Sequence, residues 1–280
     1  MSTSSHPILL AALDLDGTLL NSNGEVSPYT QKVLSEASDR GVVVIPATGR
    51  PLASLPPVVA KQPWVHYALT SNGAAVWQLT TGTCIHRLTM TPRSVEAILD
   101  LTKNEPVALE IFIRGEAWAA ADYVRDPVRY GATPQAIAYI QGTRRPAEDI
   151  RTLIRENLGE LDSLDLVTGD SALEQRLRDT LRRDVPDLYI TSSVPGLIEL
   201  SHRDGGKHSG VRFVAERLGI PAGAVAAFGD GDNDVDLLTW AGCGIAVANA
   251  TPACLAAADA VTRDHRENGV AWGIREILHL

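Results

Sequence analysis

Ile8-Leu9-Leu10-Ala11-Ala12-Leu13-Asp14-Leu15-Asp16-Gly17-Thr18 is the stretch that decides the fold. Six consecutive apolar residues, with no polar alternation, are what a strand buried on both faces requires. Two carboxylates and a Gly-Thr pair come directly after it. Open parallel sheets bind their ligands at the carboxyl ends of the strands, so this strand delivers acids to the place where chemistry is done. Asp14 and Asp16 stand two apart, and on a regular extended segment their side chains would share a face. Such a pair can divide its labour, one carboxylate as nucleophile and the other moving a proton, if their environments push their pKa values apart. A pair of turn or capping aspartates is the blander reading, and the placement directly after a buried strand and before Gly-Thr argues against it.

Outward from this stretch, strand and helix signals alternate. Ser27-Pro28 caps and starts a helix over 28–40, and Gly41–Ile45 reads as a second buried strand. A short proline-interrupted helix over 51–60 and a third strand, Val65–Thr70, come next. The order strand, helix, strand, helix, strand predicts a parallel sheet covered by helices. The middle of the chain differs. Helices are expected over 92–104, 146–158 and 172–183, and strands over 107–113, 117–121, 164–167, 188–192 and 197–200, with antiparallel hairpins around Arg114-Gly115-Glu116 and Val194-Pro195-Gly196. The last third returns to the first pattern, with a helix over 207–218, a strand over 225–228, a short helix over 234–241, a strand over 245–248, a helical stretch over 253–258 and a closing helix over 269–280. The fold class is therefore α/β, a doubly wound, mostly parallel Rossmann-like core over 1–85 and 201–280, with an α+β domain inserted over 86–200.

The residues just past each buried strand are the groups expected to meet at the sheet edge. After the second strand come Thr48-Gly49-Arg50, after the third Ser71-Asn72-Gly73, and after the strand ending at Phe228 come Gly229-Asp230-Gly231-Asp232-Asn233-Asp234. Several carboxylates in one cleft repel one another unless a cation sits among them. All the donors are oxygens, with no cysteine or paired histidine nearby, and hard oxygen ligands favour Mg²⁺ over zinc. Lys207 comes after Gly205-Gly206 at a helix start and offers the cationic group a phosphoryl ligand needs. Gly205-Gly206-Lys207 is not a P-loop, because Ser201 and His208 break that pattern, and Asp234 stands where a dinucleotide fingerprint needs its third glycine. Of the seven histidines only His208, beside Lys207, draws notice.

Composition sets the frame. Twenty-five basic against 34 acidic residues give a net charge of −9, which disfavours a nucleic-acid partner. A hydrophobic fraction of 45% with 21% charged residues fits an ordinary globular chain. Three cysteines without CxxC spacing point to a reducing compartment. Met1–Pro7 is short and polar and does not read as a signal peptide, and the apolar run after it is too short to span a bilayer. A cytoplasmic protein without a membrane partner, monomer or homodimer, is the expectation.

At these residues the chain resembles the haloacid dehalogenase (HAD) superfamily, in particular Cof-like phosphatases with a large α/β cap of type IIB. Asp14-Leu15-Asp16-Gly17-Thr18 is similar to the opening motif, Ala47-Thr48-Gly49-Arg50 to the second, Lys207 to the third and Gly229–Asp234 to the fourth. Ser71-Asn72-Gly73-Ala74 and Asn268-Gly269-Val270-Ala271 look like the Cof group as well. In Gly244-Ile245-Ala246-Val247-Ala248-Asn249-Ala250, Val247 and Ala248 stand where that group has Met and Gly. The resemblance implies a Mg²⁺-dependent phosphatase of small phosphorylated metabolites working through an aspartyl-phosphate. Asp14 would be the nucleophile and Asp16 the general acid, then base. Thr48, Gly49 and Lys207 would hold the phosphoryl group, and Arg50, Asn72 and Asn233 would meet the substrate. Asp14, the Asp16 carbonyl and Asp230 would bind the ion, with Asp234 supporting. Residues 86–200 would be the cap that contributes specificity. The resemblance does not say which cap residues do so; the stretches around Glu110–Arg114 and Asp122–Arg129 are our own candidates. Two alternatives stand beside this reading: a phosphosugar mutase using the same aspartyl-phosphate, and a non-catalytic phospho-ligand-binding protein.

Overall fold

The computed structural model describes residues 7–280. The reading of Met1–Pro7 as a polar start therefore falls, Pro7 apart, outside the described residues. Along the chain the strands are β1 (Leu10–Leu13), β2 (Val43–Pro46), β3 (Tyr67–Thr70), β4 (Ala75–Gln78), β5 (Thr83–Arg87), β6 (Ala108–Ile113), β7 (Glu116–Ala120), β8 (Arg145–Ala147), β9 (Leu161–Val167), β10 (Leu188–Thr191), β11 (Leu197–His202), β12 (Val225–Gly229), β13 (Cys243–Ala246) and β14 (Ala260–Val261). The chain folds as two compact units. One comprises residues 7–49, Leu55–His86 and Gly206–Leu280, and the other Arg50–Ser54 and Arg87–Gly205.

The first unit is built on a five-stranded parallel sheet in the order β14-β13-β12-β1-β2. Every residue of β1 and β12 is buried, as the apolar run demands of a central strand. Leu13 is in register with Phe228 on one side and Pro46 on the other. Asp14, Asp230 and Thr48 consequently leave the sheet at one edge. The third strand departs from expectation. Tyr67–Thr70 pairs antiparallel with β4 in a separate three-stranded sheet, β3-β4-β5, while isolated parallel bridges, Val44 to Val65 and Ala47 to Leu69, join its segment to that of β2. The core gathers Leu10, Ile45, Leu69, Val76, Val211, Val214 and Val225. The closing helix also differs. It is α-helical only over Gly269–Trp272 and widens into a π turn over Gly273–Ile277, where a Cβ on Gly273 would lie 2.6 Å from the Phe228 ring.

The second unit is a six-stranded sheet in the order β10-β11-β9-β6-β7-β8. Leu109, Ile111, Leu164, Leu166, Ile198 and Leu200 form its apolar face, packed with Val95, Ile98, Ile154, Leu173, Leu177 and Leu181 from helices Pro92–Leu101, Ile150–Glu156 and Ser171–Asp184. Alternation puts Glu110, Asp165 and Glu199 side by side on the other face, all buried. Arg144 reaches Glu110 through two bonds, at 3.2 and 3.0 Å, and Ser163 donates to Asp165 at 2.5 Å. Two expectations about the elements change here. The segment expected to open a helix at Pro146 is the edge strand β8, and that helix begins at Ile150, capped by Asp149; an edge position tolerates proline because no ladder donor is needed there. An unexpected helix spans Pro134–Thr143. Arg50–Ser54 go with this unit, where Ala53 donates to the Gly115 carbonyl at 2.9 Å. The unit runs on to Gly205 because β11 stays paired with β10 as far as His202. Among the described residues no helix is long and apolar enough to cross a membrane.

Candidate active site

The chain leaves β1 at Asp14 and turns. Alternation along a strand no longer governs Asp14 and Asp16, and their surroundings separate: Asp14 is buried and Asp16 exposed. The turn needs a glycine. Gly17 has φ +80°, and a Cβ there would sit 2.4 Å from Asp230 Oδ2. Thr18 then donates to Asp230 Oδ1 at 2.8 Å, tying the first acidic loop to the one after β12.

Carboxylate oxygens of Asp14, Asp230 and Asp234 lie within 4.8 Å of one another, close enough for a cation to sit among these acids. Lys207, fully buried at the start of helix Lys207–Arg217, donates to Asp14 Oδ1 and Asp234 Oδ1 at 2.6 Å each. The other oxygen of Asp234 accepts the backbone N–H groups of Asp230 and Gly231, both at 3.0 Å. Burial pushes the Asp14 carboxyl well above the usual carboxylate range; Lys207 pulls it down, and Asp234 and Asp230 push it up again. Asp230 is raised by burial and then by Asp234. Burial pulls the Lys207 ammonium down, but Asp14 and Asp234 outweigh it and hold the group above its ordinary value.

A second chain of contacts runs beside this cluster. Thr48 N–H donates to Leu69 O at 3.0 Å, Asn72 N–H to Thr48 O at 3.1 Å, and Gly206 N–H to Asn72 O at 3.0 Å. Asn233 Nδ2 reaches Asn72 Oδ1 at 3.0 Å. Ser71, Asn72 and Gly73 all adopt left-handed φ, at 51, 49 and 91°, and Gly73 lets the Gly206 carbonyl approach to where a Cβ would be 2.1 Å away. Thus Asp14, Thr48, Asn72, Lys207, Asp230, Asn233 and Asp234 are drawn together, with half-buried Gly49 next to Thr48 in the chain. Asp16 is not one of the three clustered carboxylates. Arg50 lies in the second unit, its guanidinium 4.6 Å from the centre of the Tyr139 ring. His208 pairs with Asp236 at 2.7 Å. Three residues escaped the sequence reading: Thr18, visible only as part of the Gly-Thr pair; Thr251, which bonds Asp232 at 2.7 Å; and Asn249, which donates to the Gly17 carbonyl at 2.8 Å.

A sequence profile described as haloacid dehalogenase-like hydrolase matches residues 11–274, nearly the whole chain. The chain belongs to the haloacid dehalogenase-like hydrolases. Phosphatase YwpJ of Bacillus subtilis is 30% identical over 290 residues, covering 96% of this chain and 99% of its own. A haloacid dehalogenase-like hydrolase from B. subtilis superposes with a TM-score of 0.84 at 24% identity, over 96% of this chain and 100% of that one. The HAD subclass IIB sugar phosphatase BT4131 superposes with a TM-score of 0.78 at 20% identity, over 96% and 98%. The two structural likenesses show the fold. With the family match and the phosphatase relative, this haloacid dehalogenase-like hydrolase is a phosphatase.

Proposed function

We propose that this phosphatase hydrolyses small phosphomonoesters, sugar phosphates or similar metabolites, with Mg²⁺ and through an aspartyl-phosphate on Asp14. The observation that carries the reading is the buried Lys207 bonded to Asp14 and Asp234 beside Asp230. One ammonium against three carboxylates leaves two negative charges, which suits a divalent cation. The donors are hard oxygens, with no thiolate or imidazole among them, and this set fits Mg²⁺. Asp14, the Asp16 backbone carbonyl and Asp230 would hold the ion. Asp234 has both oxygens engaged by protein donors, so its part is to fix Lys207 and the 230–231 backbone. When bound, the ion offsets charge on the phosphoryl group and keeps Asp14 ionised against its burial.

The residues supply the steps in turn. A carboxylate oxygen of Asp14 attacks phosphorus, and the bond from phosphorus to the ester oxygen breaks. Asp16, exposed and outside the trio, gives its proton to that oxygen as the alcohol leaves. Asp16, now a carboxylate, takes a proton from water as the water oxygen attacks phosphorus. Inorganic phosphate departs and Asp14 is restored. Lys207, Thr48 and Gly49 hold the phosphoryl oxygens throughout. Asn72 and Asn233, bonded to each other, and Arg50 would face the substrate. The core from both ends of the chain would carry the chemistry, and the inserted domain would serve as cap. The sugar-phosphate class is suggested by the activity named for BT4131. Asp14→Asn, assayed on p-nitrophenyl phosphate with Mg²⁺, should release no phosphate while its thermal melt stays that of a folded protein. Retained turnover refutes the nucleophile. Release without a bisphosphate activator separates the hydrolase from a mutase.

A further inference from the structure

Asn249 takes no part in the proposed hydrolysis, yet its side chain grips the turn that carries Asp16. Its Nδ2 donates to the Gly17 carbonyl at 2.8 Å, and its Oδ1 accepts the His265 backbone N–H at 3.0 Å. The His265 imidazole Nδ1 lies 2.8 Å from the Leu20 carbonyl, so that nitrogen carries the hydrogen. The turn is therefore held at Gly17, next to Asp16, and at Leu20, the residue with which Asp16 forms an isolated bridge. The gripping loop is itself anchored: Val247 N–H donates to Gly229 O at 3.1 Å, Ala248 N–H to Arg263 O at 3.4 Å, and Ala250 N–H to Val247 O at 3.0 Å.

Such an anchor has a purpose here. Asp16 is exposed, so core packing does not fix it, and the backbone that bears it limits where its carboxylate can reach. That backbone includes Gly17 at φ +80°, a conformation without the steric preference a side chain would impose, so hydrogen bonds help to define it. A primary amide is the group that donates to one carbonyl and accepts from one N–H at once. A carboxylate of the same size can only accept.

We infer that Asn249 is a positioning residue for Asp16, setting through the Gly17 carbonyl the place from which Asp16 protonates the leaving oxygen. This rests on the general-acid role proposed for Asp16, and the test separates the two. Wild type, Asp16→Asn, Asn249→Ala and Asn249→Asp are compared by kcat/KM, with Mg²⁺, on p-nitrophenyl phosphate and on phenyl phosphate. The ratio reports the first phosphoryl transfer, and phenolate, the stronger base, needs the proton more. Misplacing the acid should cost about tenfold on phenyl phosphate and about twofold or less on p-nitrophenyl phosphate, in both Asn249 variants. Thermal melts confirm folding, and Asn249→Asp, which keeps shape and acceptor, guards against a merely disrupted loop. Equal losses on the two esters, no loss, or a fully active Asn249→Asp overturns the proposal while Asp16→Asn still discriminates between esters. If Asp16→Asn itself does not discriminate, the general-acid reading falls and takes this one with it.

Discussion

Lys207 shows how a single residue can be both structural and chemical. Its ammonium is fully buried and survives there only because two carboxylates meet it at 2.6 Å. Lys207→Met keeps the volume and removes the charge. It should lower stability by about 3–5 kcal/mol, the cost of stranding a buried ion partner, and cut kcat by about 10²–10³. Denaturant melts and turnover of an aryl phosphate check both. Asp165, in the second unit, makes the opposite case. Burial, then Glu199 and Glu110, hold its carboxyl well above the usual range. A folded pKa above the unfolded value of about 3.9 gives stability that is present at low pH and lost as pH rises through the folded pKa. Once ionised, the group opposes folding. Asp165→Asn cannot ionise and can still accept from Ser163. It should therefore be more stable than wild type by about 1–2 kcal/mol near pH 8, an advantage that shrinks toward about pH 4 in paired thermal melts.

Secondary-structure elements are positioned by their ends as much as by their apolar faces. Helix Pro28–Asp39 begins at Ser27, whose hydroxyl accepts from Thr30 N–H at 3.0 Å and donates to Asn268 Oδ1 at 2.5 Å. That one hydroxyl joins the first helix to the closing segment, beside a left-handed Asn268 at φ 59°. Ser27→Ala should cost about 1–2 kcal/mol by chemical denaturation and leave kcat within about twofold. The Ser27-Pro28 signal was legible because capping is local chemistry. So were β1 and β12, whose unbroken apolar runs suit only a doubly covered strand. Helix Pro134–Thr143 was not: Thr133-Pro134 offers the same kind of start, but the apolar residues that follow mark out no single helical face, so periodicity does not report it. The place of β3 was also hidden. Val65–Thr70 is apolar enough for the parallel sheet, but the partner it takes, Ala75–Gln78, is set by the tight left-handed turn at Ser71–Gly73, which side-chain periodicity does not report.

At the scale of the molecule, the site depends on register. Because Leu13 aligns with Phe228 and Pro46, loops more than 200 residues apart in sequence, such as Thr18 and Asp230 at a separation of 212, meet within hydrogen-bond distance. Strand-end residues were legible in the sequence once the sheet was recognised. Contacts made by backbone geometry were not, such as Asn249 on the Gly17 carbonyl, nor was the parting of Asp14 from Asp16, which comes from a turn rather than from spacing. The surroundings of Arg50 were hidden for a related reason: its neighbour in space, Tyr139, lies in a segment with no motif. The cluster around Lys207 points to one chemical event, transfer of a phosphoryl group to Asp14. Enzyme mixed with excess p-nitrophenyl phosphate and Mg²⁺, quenched in acid during turnover and mapped by peptide mass spectrometry, reads that event directly. A phosphate adduct on the peptide bearing Asp14, absent in Asp14→Asn, is the expected result; turnover with no adduct, or an adduct on another residue, would contradict it.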